Sequence, residues 1–261
     1  MASNTRTGAP IWIDLSTPDT EGAKKFYSEL FGWEFTDTGE DFGHYQMITK
    51  DGLPVGGAMS SQMGDGSAPT AWGVYLRSED NAATVQAVKD NGGQVLFDAM
   101  PVGELGSMAI YTDPSGAAIG SWEVKEFAGF ETPQTQGTPV WFELMSTDYD
   151  AVAPFYERVF GWTLSPMDPD DTSFRYSTFG EGPEAAAGLC DAKNFIGDSP
   201  SFWRIYLAVD DTDAAVAKIT ELGGKLLDGP EDSPFGRFAT VADPQGAMFQ
   251  INATAKGDAP A

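Results

Sequence analysis

The stretch Pro10 to Phe35, P-I-W-I-D-L-S-T-P-D-T-E-G-A-K-K-F-Y-S-E-L-F-G-W-E-F, decides the fold because the chain repeats it. It returns from Pro139 to Leu164 as P-V-W-F-E-L-M-S-T-D-Y-D-A-V-A-P-F-Y-E-R-V-F-G-W-T-L, at a constant shift of 129 residues (141 − 12 and 162 − 33). Trp12 meets Trp141, Asp14 meets Glu143, Phe26-Tyr27 meets Phe155-Tyr156, and Phe31-Gly32-Trp33 meets Phe160-Gly161-Trp162. So many large residues in one register cannot come from composition alone. The chain is a tandem duplication.

The local physics of the stretch is a strand, a capped helix and a second strand. Ile11, Ile13 and Leu15 alternate with Trp12, Asp14 and Ser16, the period of a strand. Pro18 closes that strand, and Thr17, Asp19 and Thr20 offer helix N-caps. Ala23, Phe26, Tyr27, Leu30 and Phe31 form the apolar stripe of an amphipathic helix, which Gly32 stops before Trp33 opens the next strand.

Outward from there, each half repeats the pattern inside itself. Trp72 to Arg77 is a strand and Asn81 to Asn91 a helix ended by Gly92-Gly93. Short strands follow at Val95 to Phe97, Met108 to Thr112 and Ala117 to Trp122. Their copies, Trp203 to Val209 and the helix Thr212 to Leu222, stand 131 residues later (203 − 72). The chain is therefore four βαβββ units in an α+β fold. Curved mixed sheets form cups with the helices outside. The expected domains are 10–125 and 139–253, joined by a linker at 126–138. Met1 to Ala9 is expected as a loose arm and 254–261 as a disordered tail.

Bulk numbers exclude several functions. The 261 residues carry 15 basic and 39 acidic side chains, a formal charge of -24, which argues against nucleic acid or an anionic membrane as partner. One cysteine, Cys190, excludes an internal disulfide and a thiolate metal cage. No apolar run approaches the roughly 18 residues of a membrane span, and the start lacks a signal peptide's apolar core. A cytoplasmic monomer or homodimer is expected.

The four βαβββ units, the F-Y-x-x-x-F-G-W helix endings and the turns Asp113-Pro114-Ser115-Gly116 and Asp243-Pro244-Gln245-Gly246 resemble the vicinal oxygen chelate superfamily. That group holds glyoxalase I, bleomycin-resistance proteins, fosfomycin-resistance enzymes and extradiol dioxygenases. The resemblance covers residues 10 to 253 and is closest to two-domain actinobacterial glyoxalase-like proteins labelled as hydroxylases. It is specific for the fold and says little about the reaction. It implies a metal site, with a His opening the first strand and a carboxylate seven residues after the Asp of D-P-x-G. Those positions here hold Trp12, Trp141, Gly120 and Gln250, so no metal and no other cofactor is expected. The D-P-x-G segments themselves are expected as tight turns without chemistry.

Strand parity nominates the site residues. If Trp12 faces a cup, so does Asp14, and the same rule places Glu143 beside Trp141. Burial among aromatic rings favours the neutral form of a carboxyl group, which suits proton transfer, and Asp14 and Glu143 are the catalytic candidates. The alternative is that both merely satisfy backbone donors or an arginine. Trp33 and Trp162 are expected in the core, whereas Trp12, Trp141 and Trp122 are candidates for stacking a flat ligand. Arg204, Tyr206 and Gln250 in the second half, with Tyr75 in the first, complete the ligand-binding set. His44, the lone histidine, is either a general base or a strand-end residue.

The expected function is a metal-independent lyase, isomerase or hydroxylase-like activity on an aromatic or carbonyl-bearing metabolite in a tryptophan-lined cup. A bleomycin-resistance-like binding and sequestering protein is the alternative, and a metal-dependent lyase or dioxygenase the second alternative. The second cup is favoured because Arg204 and Gln250 replace Gly73 and Gly120 of the first.

Overall fold

The start and stop signals of the duplicated stretch act locally. In a computed structural model of the protein, which describes residues 5–62, 68–130, 135–168, 170 and 174–254, Asp19 caps the first helix through Gly22 N–H at 2.9 Å. Asp148 caps its copy through Ala151 N–H at 3.1 Å. Each carboxylate satisfies an orphan helix donor and meets the positive end of the helix dipole. Gly32 and Gly161 end these helices at φ of 69° and 68°, a left-handed conformation that costs other residues about 1–2 kcal/mol.

The first half runs β1 Pro10–Thr17, α1 Thr20–Phe31, β2 Glu34–Asp37, β3 Gln46–Lys50, β4 Leu53–Ser60, β5 Ala71–Ser78, α2 Asn81–Asp90, β6 Gln94–Val102, β7 Gly106–Thr112 and β8 Ala118–Val124. The second half runs β9 Pro139–Ser146, α3 Tyr149–Phe160, β10 Leu164–Pro166, β11 Tyr176–Phe179, β12 Gly188–Asp191, β13 Phe202–Ala208, α4 Thr212–Glu221, β14 Lys225–Ser233, β15 Gly236–Ala242 and β16 Met248–Ala253. Each half closes its own eight-stranded mixed sheet. The orders are β2-β3-β4-β1-β5-β8-β7-β6 and β10-β11-β12-β9-β13-β16-β15-β14. The α+β fold of two tandem domains is thus the one that the alternation and helix signals predict. Strand β6 is longer than expected from Val95 to Phe97, and its pairing with β7 carries register shifts.

By packing, the chain forms two compact units, each built from one βαβββ module of either half. One holds Met1–Trp12, Gly73–Phe130 and Trp141–Arg204; the other holds Ile13–Trp72, Glu131–Val140 and Ile205–Ala261. Each unit is tied by the same buried network. In the second, Tyr27 of α1 donates its hydroxyl to Asp243 (3.1 Å) and accepts from Trp72 Nε1 (3.0 Å). In the first, Tyr156 of α3 donates to Asp113 (3.1 Å) and accepts from Trp203 Nε1 (3.0 Å). The D-P-x-G aspartates are turn residues, since Asp113 Oδ1 accepts Ser115 N–H and Ala117 N–H, and Asp243 Oδ1 accepts Gln245 N–H and Ala247 N–H. Their second oxygen receives the tyrosine from the opposite half of the sequence. Burial pushes both carboxyl groups above the ordinary aspartate range and both phenols well above theirs.

The expected loose arm is a correction where it is described. Gly8 and Ala9 are buried, Trp162 Nε1 donates to Gly8 O at 3.0 Å, and Arg6 lies over the Phe179 ring. A Cβ at Gly8 would stand 2.3 Å from Phe160 O, so only glycine admits this approach. The linker repeats the device, because Trp33 Nε1 donates to Gly137 O at 2.7 Å. Gly8-Ala9-Pro10 and Gly137-Thr138-Pro139 are copies at the shift of 129, a signal available in the sequence. The expected tail lies outside the described residues beyond residue 254.

Candidate functional site

Three large side chains on β9 and β13 set up the chemistry of the second half. Trp203 turns into the core against Tyr156, so its neighbour Arg204 emerges on the other face of β13. There both Nε and Nη2 of Arg204 donate to Oε2 of Glu143. The Glu143 side chain is 7% exposed and Arg204 21%, so the ion pair is largely withdrawn from water, the carboxylate more than the arginine. Removal from solvent is costly for either charge alone, and the two charge-assisted contacts to one carboxylate oxygen oppose that cost.

Trp141 lies two residues before Glu143 on the same strand face and is half-buried. Its Nε1 donates to the hydroxyl of Tyr176 at 3.0 Å. Tyr176 reaches that position by lying across Gly188, whose added Cβ would stand 1.9 Å from the Tyr176 hydroxyl. Gly188 is itself in register with Glu143, so the notch belongs to the strand beside the ion pair. Under Tyr176 sit buried Met145, Cys190 and Ala192. Burial, reinforced by the charge of Glu143 and opposed by Arg204, pushes the Cys190 thiol up to about 12, so it stays a neutral apolar group.

The first half uses the same positions differently. Asp14 receives the hydroxyl of Tyr45, whose ring lies across Gly57 just as Tyr176 lies across Gly188. Trp12 is 5% exposed because Phe127 meets it edge-on at 4.8 Å and Phe130 stacks beside it at 6.2 Å. Trp122 packs on the same Phe127 and donates Nε1 to its carbonyl at 2.9 Å. Gly129 permits this cover, since its Cβ would fall 2.3 Å from Ile11 O. Segment 126–130 therefore closes over the two tryptophans nominated for stacking in that half.

The remaining nominees have plain settings. Tyr75 lies over Gly120, filling the space of the missing side chain, and the two are in register on β5 and β8. Tyr206 is in register with Gln250, whose amide hydrogen-bonds Thr240 at 2.8 Å. His44 sits at φ of 58° on an exposed turn and bonds Asp37 at 3.0 Å. The structure thus joins Glu143 to Arg204, Asp14 to Tyr45, and Trp12 to Trp122 through Phe127. It leaves His44 at the surface, hydrogen-bonded to Asp37.

The metal that the family resemblance implies would have to be held by the residues at these positions. Two of the four ligand positions are indoles, Gly120 has no donor and Tyr75 occupies its side-chain space, and Gln250 is engaged by Thr240. Among the described residues no group of three His, Cys, Asp or Glu side chains converges on one point. This donor set does not fit a divalent ion. No helix among the described residues is long and apolar enough to cross a membrane.

Tyr45, Tyr176, Phe127 and Phe130 escape sequence reasoning. The signal for the tyrosines was present as Gly57 and Gly188, glycines inside strands, which mark a close approach by another group.

Comparison with known proteins gives a consistent result. The Glyoxalase/Bleomycin resistance protein/Dioxygenase superfamily model matches residues 10–120 and 138–251. The chain is 38% identical over 256 residues to CFP32 of Mycobacterium tuberculosis, whose name assigns it to the glyoxylases, covering 95% of this chain and 96% of that one. It is 33% identical to the anthracycline biosynthesis protein DnrV of Streptomyces peucetius, covering 94% and 92%. Among solved structures, the Mn(II)-bound glyoxalase from Novosphingobium aromaticivorans shares the fold with a TM-score of 0.66 at 15% identity, covering 96% of this chain and 83% of that one. BphC, a halotolerant catechol dioxygenase, does so with a TM-score of 0.63 at 13% identity, covering 96% and 87%.

Proposed function

The chain belongs to the Glyoxalase/Bleomycin resistance protein/Dioxygenase superfamily, and from that premise we propose that it acts in the cytoplasm, without a bound metal, on an aromatic or carbonyl-bearing metabolite seated on Trp141. The observation that carries this reading is the withdrawn Glu143–Arg204 pair on the strand face of a half-buried tryptophan. Stacking on the indole supplies contact area. Arg204 holds a carbonyl oxygen or the oxygen of a neutral phenol, and Glu143 accepts a proton from the carbon next to that carbonyl or from that phenol hydroxyl. The resulting negative charge on the ligand oxygen stays beside the guanidinium, where it is stabilised. The name of the DnrV relative supports a place in small-molecule biosynthesis.

A second reading, ligand sequestration, is favoured by one feature. Oε2 of Glu143 already accepts from Arg204, so that oxygen is occupied and not open to a ligand proton. Chelator-treated protein and its Glu143→Gln variant, each incubated with a panel of aromatic ketones and phenols, separate the two. Turnover by wild type, with Glu143→Gln binding but inactive, is expected for the enzyme. Binding without turnover by either protein means sequestration. Turnover that disappears with the chelator and returns with added metal sinks both.

A further inference from the structure

Beyond Trp141 the second half carries a staircase of rings that the function above does not use. Tyr176, whose hydroxyl accepts from Trp141, lies nearly parallel to Phe174 with centroids 5.8 Å apart and planes 15° apart. Phe174 in turn meets Phe195 edge-on at 5.6 Å and 79°. Exposure climbs along the series, from buried Tyr176 to Phe174 at 40% and Phe195 at 56%. Below it the rings are braced, since Ile196 packs with Phe202 on the Met145, Cys190 and Ala192 cluster that holds Tyr176. The residue one module-copy earlier than Phe174, at the shift of 131 that relates Tyr45 to Tyr176, is Gly43. The staircase therefore belongs to the half whose tryptophan is open.

We propose that Phe174 and Phe195 are specificity-determining residues, extending the Trp141 site outward so that it selects a flat, multi-ring aromatic compound over a single-ring one. The inference rests on the reading of Trp141, Glu143 and Arg204 as the ligand site. Two physical points carry it. Exposed phenylalanines lose hydration free energy wherever they stand in water, and a planar ligand lying along them removes that cost. Parallel and edge-on rings at these spacings are also the arrangements that aromatic partners prefer. The oxygen end of the ligand goes inward to Arg204, and its unsubstituted rings run outward over Phe174.

The test compares 2-hydroxyacetophenone, one ring, with 1-hydroxyanthraquinone, three rings, by equilibrium dialysis. Both present a phenol beside a carbonyl. Wild type is expected to bind the three-ring compound more tightly. The Phe174→Leu/Phe195→Leu variant, which keeps apolar bulk and removes only rings, is expected to lose about 30-fold in affinity for it, the order expected for two aromatic contacts. Affinity for the single-ring compound should stay within about two-fold, since that probe reaches only the inner site. Equal weakening for both compounds, or no weakening for either, overturns the proposal while leaving the inner site intact. Failure of Trp141→Ala to weaken either compound overturns the inner site instead. A change in oligomeric state of the double variant, with ligand affinity unchanged, assigns the staircase to contact between copies and also overturns the proposal.

Discussion

Trp12 and Trp141 occupy equivalent positions on β1 and β9, yet Trp12 is buried and Trp141 only half-buried. Trp12 is covered by Phe127 and Phe130 and shares Phe127 with Trp122, while Trp141 remains half-buried and makes a polar contact to Tyr176. Their carboxylate neighbours have diverged in the same sense. Asp14 takes a tyrosine hydroxyl, a neutral donor, whereas Glu143 takes the guanidinium of Arg204, which stands where the first half has Gly73. Duplication leaves two copies under one folding constraint. Here one copy covers its tryptophan with aromatic rings and the other pairs its carboxylate with an arginine.

The largest expected effects break that comparison most directly. Trp12→Ala opens a void under two phenylalanines and should cost about 3–5 kcal/mol of stability, whereas Trp141→Ala, at a partly solvated site, should cost clearly less. Urea unfolding of the two variants measures the difference, and equal losses would remove the distinction between a packed and an open copy. Arg204→Ala strands a buried carboxylate and should cost about 3–5 kcal/mol. Adding Glu143→Gln should return part of that loss, which thermal melts of the single and double variants would reveal.

Smaller effects sharpen the contrast by showing what has not diverged. Tyr27→Phe and Tyr156→Phe each leave a buried aspartate short of one donor and should each cost about 1–3 kcal/mol. The two networks match in partners and distances, so the two losses should agree within the error of denaturant unfolding. The smallest expected effect is on pH dependence. Asp113 and Asp243 have raised values in the folded chain, so their protonated forms are favoured by folding. Their contribution is present in full below the ordinary aspartate value and is lost as pH rises through the raised one. Asp243→Asn should flatten the stability profile across that acid window, and a profile unchanged from wild type would contradict the assignment.

The sequence by itself determined the duplication, the α+β modules, a cap among Thr17, Asp19 and Thr20, and the glycine stops at Gly32 and Gly161. These depend on residues within a few positions of one another, where chain geometry leaves little choice. It also placed Glu143 and Trp141 on one face, because strand parity is local. Which of two adjacent residues on β13 joined the core was decided only in three dimensions, when Trp203 found Tyr156 and so turned Arg204 toward Glu143. The link from Tyr27 to Asp243 spans 216 positions, and periodicity carries no information at that separation. The cover over Trp12 is decided the same way. Nothing in the spacing of Phe127 and Phe130 says what they pack against, since apolar side chains attract without direction and the folded backbone alone chooses their partner.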